Sequence, residues 1–153
     1  MFFSIHYVRT GEIMHCDLVV STSIAPKTIS ATNIDDFKAQ LEALLIESKQ
    51  QRGIVYIWKT QSDIPRLKGK NPIIYIGKAD GSLYDRYINK ITHEANEYWD
   101  RYHQIISAYG NIYIEIFESK DPKKTENNFL YQYHQQFMEL PPINLQSYKY
   151  GLL

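Results

Sequence analysis

The chain has 153 residues, which fits one domain with an appendage. It is 44% hydrophobic and 22% charged, so it can bury a core and is not of the disordered class. Net charge is zero, and the single cysteine, Cys16, excludes an internal disulfide framework and fits a reducing compartment. The N-terminal "MFFSIHYVRTGE" lacks a basic region and an apolar run of signal length, and no stretch reaches the length of a membrane span. The expectation is a cytoplasmic protein with no membrane partner.

Residues 2–9 and 13–20 read as two strands around "TGE", a hairpin. "STSIAPKTISAT" reads as a loop. "NIDDFKAQLEALLIESKQQ" then reads as a helix capped by Asn33, with Asp35 and Asp36 in its first turn. Ile34, Phe37, Leu41, Leu44 and Leu45 form one apolar stripe at spacings of three and four. This hairpin and helix, residues 1–50, carry no evident chemistry and are expected to form an extension packed on the core. The remainder, residues 51–153, is expected to be the functional domain.

"GIVYIWKT" (53–60) is an apolar, β-branched and aromatic run, a buried strand. "QSDIPRLKGKN" (61–71) is a basic loop punctuated by Pro65 and Gly69. "PIIYIGKA" (72–79) is the next strand. Ser82 can cap a helix beginning "LYDRYINKI", and helical sequence runs on to about Ala108, in one piece or two. "IYIEIFES" (112–119) alternates with period two, so one face is buried. "DPKKTENNFLYQYHQQFMEL" is a last helix with Phe129, Leu130, Tyr133 and Phe137 on its apolar side, ended by "PPIN". The first two of these strands are joined by a loop alone, so they pair antiparallel. The expected architecture is α+β: a small three-stranded antiparallel sheet flanked by helices, with the N-terminal hairpin and helix as an appendage.

Charge is unevenly spread. Residues 51–90 hold eight cations (Arg52, Lys59, Arg66, Lys68, Lys70, Lys78, Arg86, Lys90) against three acids (Asp63, Asp80, Asp85), a local excess of five. Such a zone can make an electrostatic footprint for a phosphate backbone, although on charge alone a solvated loop with routine lysines explains it more simply.

"GIVY" (53–56), "YIG" (75–77), Lys78, Arg86, Glu126 and Asn144 occur in this order on the expected elements. Together they resemble the GIY-YIG nuclease family, which includes homing endonucleases, restriction enzymes and the nuclease domain of an excision-repair subunit. The resemblance covers residues 53–145. It implies phosphodiester hydrolysis in DNA, RNA not excluded, with one divalent ion, Mg²⁺ or Mn²⁺, held by Glu126. It also implies roles. Tyr56 would orient or deprotonate the attacking water, with Lys78 assisting, because a phenol pKa near 10 makes deprotonation hard without nearby cations. Tyr75 would hydrogen-bond phosphate or water, and Gly77 would let backbone approach the phosphate. Arg86 would clamp phosphate oxygens with its forked donors. Asn144 would buttress the site or hold its loop.

Each residue singly has a plainer reading. A strand Tyr is usually a packing residue, an isolated Arg a surface side chain, and Glu126 a favourable charge near a helix N-terminus. The chain also departs from the family pattern. Nineteen positions separate Tyr56 from Tyr75, the extra length being the basic loop, where Arg66, Lys68 and Lys70 are candidates for backbone contact. Lys90 stands where family members often carry His or Tyr; it can bind phosphate, and His93 is an alternative for the auxiliary role. His103 and His134 form no metal spacing with each other or with Cys16. "YWDRYH" (98–103) could flank nucleic acid, but aromatic packing on the sheet explains it more simply. A homodimer would supply two nicks for a double-strand break. The competing readings are a non-catalytic nucleic-acid- or protein-binding module on the same scaffold, and an RNA-cleaving toxin-like nuclease.

Overall fold

A computed structural model describes residues 28–152; the expected N-terminal hairpin and Cys16 lie outside the described residues. The elements in order are β1 (Thr28–Ile29), α1 (Ile34–Glu47), β2 (Arg52–Pro65), β3 (Lys70–Ser82), α2 (Leu83–Tyr87), α3 (Ile91–Tyr109), β4 (Ile112–Glu118) and α4 (Pro122–Phe137). A 3₁₀ turn over Ile88–Lys90 joins α2 to α3, and another closes the described chain at Tyr150–Leu152.

The sheet is antiparallel throughout, in the order β1-β4-β2-β3. Among the described residues it therefore has four strands, not three. The added strand falls in the stretch expected to be a loop. Its two residues are too few to show a period, and it exists because Thr28 and Ile29 pair with Tyr113 and Ile112. Ile29 is fully buried there.

The supposed loop 61–71 is mostly strand as well. β2 continues to Pro65 and β3 begins at Lys70, with Ile64 opposite Asn71 and Pro65 opposite Lys70. The turn is Arg66–Gly69, closed by Arg66 N donating to Gly69 O at 3.0 Å with Gly69 at φ +74°. Pro65 is tolerated because β4 pairs with β2 only as far as Thr60, so β2 has one neighbour beyond it.

Ile54–Trp58 of β2 are apolar without alternation because both faces of the strand are covered there. Ile54, Tyr56 and Trp58 join Phe37, Leu41 and Leu45 of α1 and Tyr102 of α3 in one cluster. Val55 and Ile57 join Ile76 and the α4 residues Phe129, Leu130, Tyr133 and Phe137 in the other. Strand alternation thus sends Tyr56 to the α1/α3 side. The aromatic residues of 98–103 do pack inward: Tyr102 stacks on Trp58 at 5.5 Å and on Phe37 at 5.0 Å. Each such fully buried large side chain contributes about 1.5–3 kcal/mol. Asn33 caps α1 through Asp36 N at 2.9 Å, as its sequence suggests.

Candidate active site

β3 runs into α2 without a loop, and Ser82 makes the junction. Its Oγ accepts from Asp85 N, and Asp85 Oδ2 accepts from Ser82 N, both at 3.1 Å, a capping box. Arg52 at the start of β2 donates to the same Asp85 oxygen at 2.8 Å. These backbone and side-chain bonds to Ser82, with Arg52 nearby, hold the Asp85 carboxyl below its usual range. The result fixes the first turn of α2, and with it Arg86.

Tyr56 pairs with Gly77, and Trp58 with Tyr75, across β2 and β3. The Tyr56 and Tyr75 rings lie 5.9 Å apart. Gly77 leaves the space they occupy: a Cβ there would stand 2.5 Å from Tyr75 Cε1 and 2.7 Å from the Tyr56 hydroxyl oxygen. The glycine therefore serves the tyrosine rings in this structure, whatever else approaches it.

The two motif tyrosines differ in access. Tyr56 is 0% exposed, and its hydroxyl lies 3.0 Å from that of Tyr87, itself buried. Burial first, then the neighbouring Tyr75, push its phenol well above the usual value, outweighing Tyr87 and Arg86. Tyr56 is therefore a neutral phenol at physiological pH, locked behind the surface. Tyr75 is half-buried and lines an open cleft of about 370 Å³. Burial raises its pKa too, and the Glu126 carboxylate adds to this.

The same cleft is lined by Lys78 from β3, Arg86 from α2 and Glu126 from α4. α4 starts at Pro122 with Asp121 capping Lys124 N at 3.0 Å, which places Glu126 in its second turn. Burial raises the Glu126 pKa, Lys78 and Arg86 oppose the rise, and Asp80 adds to it. Lys78 is paired to Asp80 at 3.2 Å. Arg86 is partly desolvated, but Tyr56, Tyr87 and Tyr75 more than compensate and its guanidinium stays charged.

Four of the expected site residues thus converge, and Tyr56 stands directly behind them. The others do not line the cleft. Asn144 buttresses: its side chain accepts from Ile76 N at 2.9 Å and donates to Ile76 O at 2.8 Å, replacing a neighbouring strand at the edge of β3. Both bonds engage its side chain with the β3 backbone. Lys90 ends the 3₁₀ turn, exposed and outside the cleft. His93 packs edge-on against Tyr98.

The stretch 61–71 is thus a hairpin tip and not a loop, and its three cations differ in exposure. The Arg66 side chain is 8% exposed and pairs with Glu139 at 3.5 Å, so it is a packing cation of the hairpin tip. Lys70 faces Asp63 at 3.9 Å, and Lys68 is exposed beside it. By strand rise this tip is roughly 20 Å along β3 from Gly77, too far to share a phosphate with Arg86.

Sequence reasoning missed Tyr87, Asp80, Asp85 and Gln146, the last three lining the cleft. Asp85 had a signal, the Ser-x-x-Asp spacing of a capping box. Tyr87 had none, since its value comes from the hydroxyl it meets on β2. Among the described residues no three His, Cys, Asp or Glu side chains converge as a metal cage. The donor set suits only a hard ion that keeps most of its waters and takes one or two carboxylates. No family model, curated protein or solved structure matches the chain.

Proposed function

We propose that the protein is a metal-dependent endonuclease that hydrolyses phosphodiester bonds in DNA, of the GIY-YIG type. What supports this is one observation: Tyr75, Lys78, Arg86 and Glu126, drawn from β3, α2 and α4, line a single open cleft. Two cations, a phenol and a carboxylate are the groups a phosphoryl-transfer site needs.

In this reading Arg86 holds two non-bridging phosphate oxygens with its planar fork, and Lys78 adds a second positive charge where the pentacovalent phosphate forms. The Tyr75 hydroxyl orients the attacking water or bonds the phosphate. Glu126 holds Mg²⁺ or Mn²⁺, which when bound supplies Lewis-acid stabilisation of the leaving oxygen. Tyr56 moves from water activation to positioning, because its buried hydroxyl faces Tyr87. It holds the Tyr75 ring and, through Tyr87, the helix that carries Arg86.

The test is incubation with plasmid DNA and with RNA, in Mg²⁺, Mn²⁺ or EDTA, beside Glu126→Ala and Arg86→Ala. The expected result is metal-dependent cutting of DNA that either substitution lowers by about 10²–10³-fold. Cutting of RNA alone moves the reading to a ribonuclease. No cutting of either substrate by the wild type leaves a binding module.

A further inference from the structure

We propose that the aromatic corner made by Tyr131, Tyr148 and Tyr150, with the lysines flanking it, binds single-stranded nucleic acid leading away from the cleft. The proposal rests on the nuclease reading for the cleft's role, while the corner has its own observations.

The chain after Pro142 forms a strap. Ile143 N donates to Ile74 O at 2.9 Å, Asn144 clamps Ile76, and Gln146 lines the cleft. The strap then reaches α4 beside Glu126. Lys149 N donates to Asn127 Oδ1 at 2.5 Å, and Asn127 Nδ2 donates to Lys149 O at 2.9 Å. A path along this strap therefore runs directly from the cleft to the corner.

At its end the three rings pack edge to face. Tyr131 meets Tyr148 at 5.2 Å and 85°, and Tyr148 meets Tyr150 at 5.3 Å and 84°. The Tyr148 hydroxyl lies 3.4 Å from both Tyr150 Oη and His134 Nδ1. Tyr150 is nevertheless 72% exposed. A large ring held in place by its neighbours yet open to solvent has little rotamer freedom left to lose when a base stacks on it. Every base offers a π-face, so such a surface takes unpaired bases without sequence preference.

The charges fit the same ligand. Lys124 of α4 and Lys149, between Tyr148 and Tyr150, are exposed and form no ion pair among the described residues. Lys124 and Tyr131 are seven residues apart in α4, so they share a face about 10 Å apart. That is the span of about three stacked bases. A duplex keeps its bases stacked on each other and cannot use the rings.

The experiment measures fluorescence anisotropy of labelled oligo-dT and oligo-U of about twelve nucleotides, and of a blunt duplex, in EDTA with no cleavage. The wild type is expected to bind single strands more tightly than the duplex. Tyr150→Ala and Tyr131→Ala should each weaken single-strand binding about 5- to 100-fold, and Tyr150→Trp should retain it. Lys124→Ala should lower the salt slope by about one. Unchanged circular-dichroism melting keeps folding out of the comparison. Preference for blunt duplex, or single-strand binding indifferent to Tyr150→Ala, overturns the proposal. So does a wild-type dimer that Tyr150→Ala makes monomeric without change in oligonucleotide affinity. If Tyr150 governs binding but nothing is ever cut, the corner stands and the nuclease reading falls.

Discussion

Gly77 and Tyr56 face each other across β2 and β3, and the place of a glycine Cβ is taken by the Tyr56 hydroxyl end and the Tyr75 ring. The close packing of two rings over a bare backbone makes the residue type at 77 decisive. Gly77→Ala should cost about 1–3 kcal/mol of stability from overpacking. Thermal melting measures that loss, and plasmid cutting should fall with it because Tyr75 is displaced from the cleft. An unchanged melting temperature would show that the rings yield freely.

Tyr56 and Tyr87 are coupled through their buried hydroxyls at 3.0 Å. Either single change to Phe leaves one buried hydroxyl without its partner and should cost about 1–3 kcal/mol. The double Phe variant should cost less than the sum of the two, since nothing is then left unpaired. Urea denaturation of all four proteins measures the coupling, and strict additivity would exclude it.

Glu126 has its pKa raised by burial, with Lys78 and Arg86 opposing and Asp80 assisting. The folded state thus holds this proton more tightly than the unfolded chain. Its contribution to stability is present below the unfolded carboxylate pKa and is lost as pH rises through the folded value. Glu126→Gln should therefore stabilise the protein at neutral pH. In the proposed nuclease reading, where Glu126 holds the ion as a carboxylate, cutting should have an acid limb above the ordinary carboxylate value. Asp80→Asn removes the repulsion and releases Lys78, so that limb should move to lower pH. A limb unmoved by Asp80→Asn would place the titration elsewhere.

Arg66 and its neighbours at the hairpin tip should matter to folding and not to nucleic acid. Arg66→Ala removes the ion pair with Glu139, which keeps its bond from Leu67 N, and should destabilise by about 1 kcal/mol. The Lys68→Ala/Lys70→Ala double variant should leave the salt dependence of binding unaltered. A shallower slope would return the tip to the interface.

Asn144→Ala removes both side-chain bonds to Ile76. The expected cost is about 1–3 kcal/mol, with faster amide exchange at Ile76 than at Ile57, which lies on the central strand.

Much of the fold was legible along the chain. The order from residue 53, strand, strand, helix, strand, helix, is the observed order, and Asn33 and Ser82 cap as their positions suggest. The break of the long helix at Ile88–Lys90 was open in the sequence and is present. The errors fell where local signals compete with distant pairing. Pro65 and Gly69 read as loop punctuation, yet Ile64 opposite Asn71 carries the strands almost to the turn. Thr28 and Ile29 became a strand only because β4 was there to receive them.

By itself the sequence determined which residues could be chemical, since Tyr75, Lys78, Arg86 and Glu126 stand at recognisable positions on periodic elements. Tertiary structure alone decided their access. Residues one apart on a strand face opposite sides, but which of two tyrosines on the same side is buried depends on what packs against it. The central strand β2 puts Tyr56 beneath Tyr87, and the edge strand β3 leaves Tyr75 open to the cleft. Burial is a property of neighbours brought from elsewhere in the chain. The sorting of one motif tyrosine to the interior and the other to the site could therefore be made only by the fold.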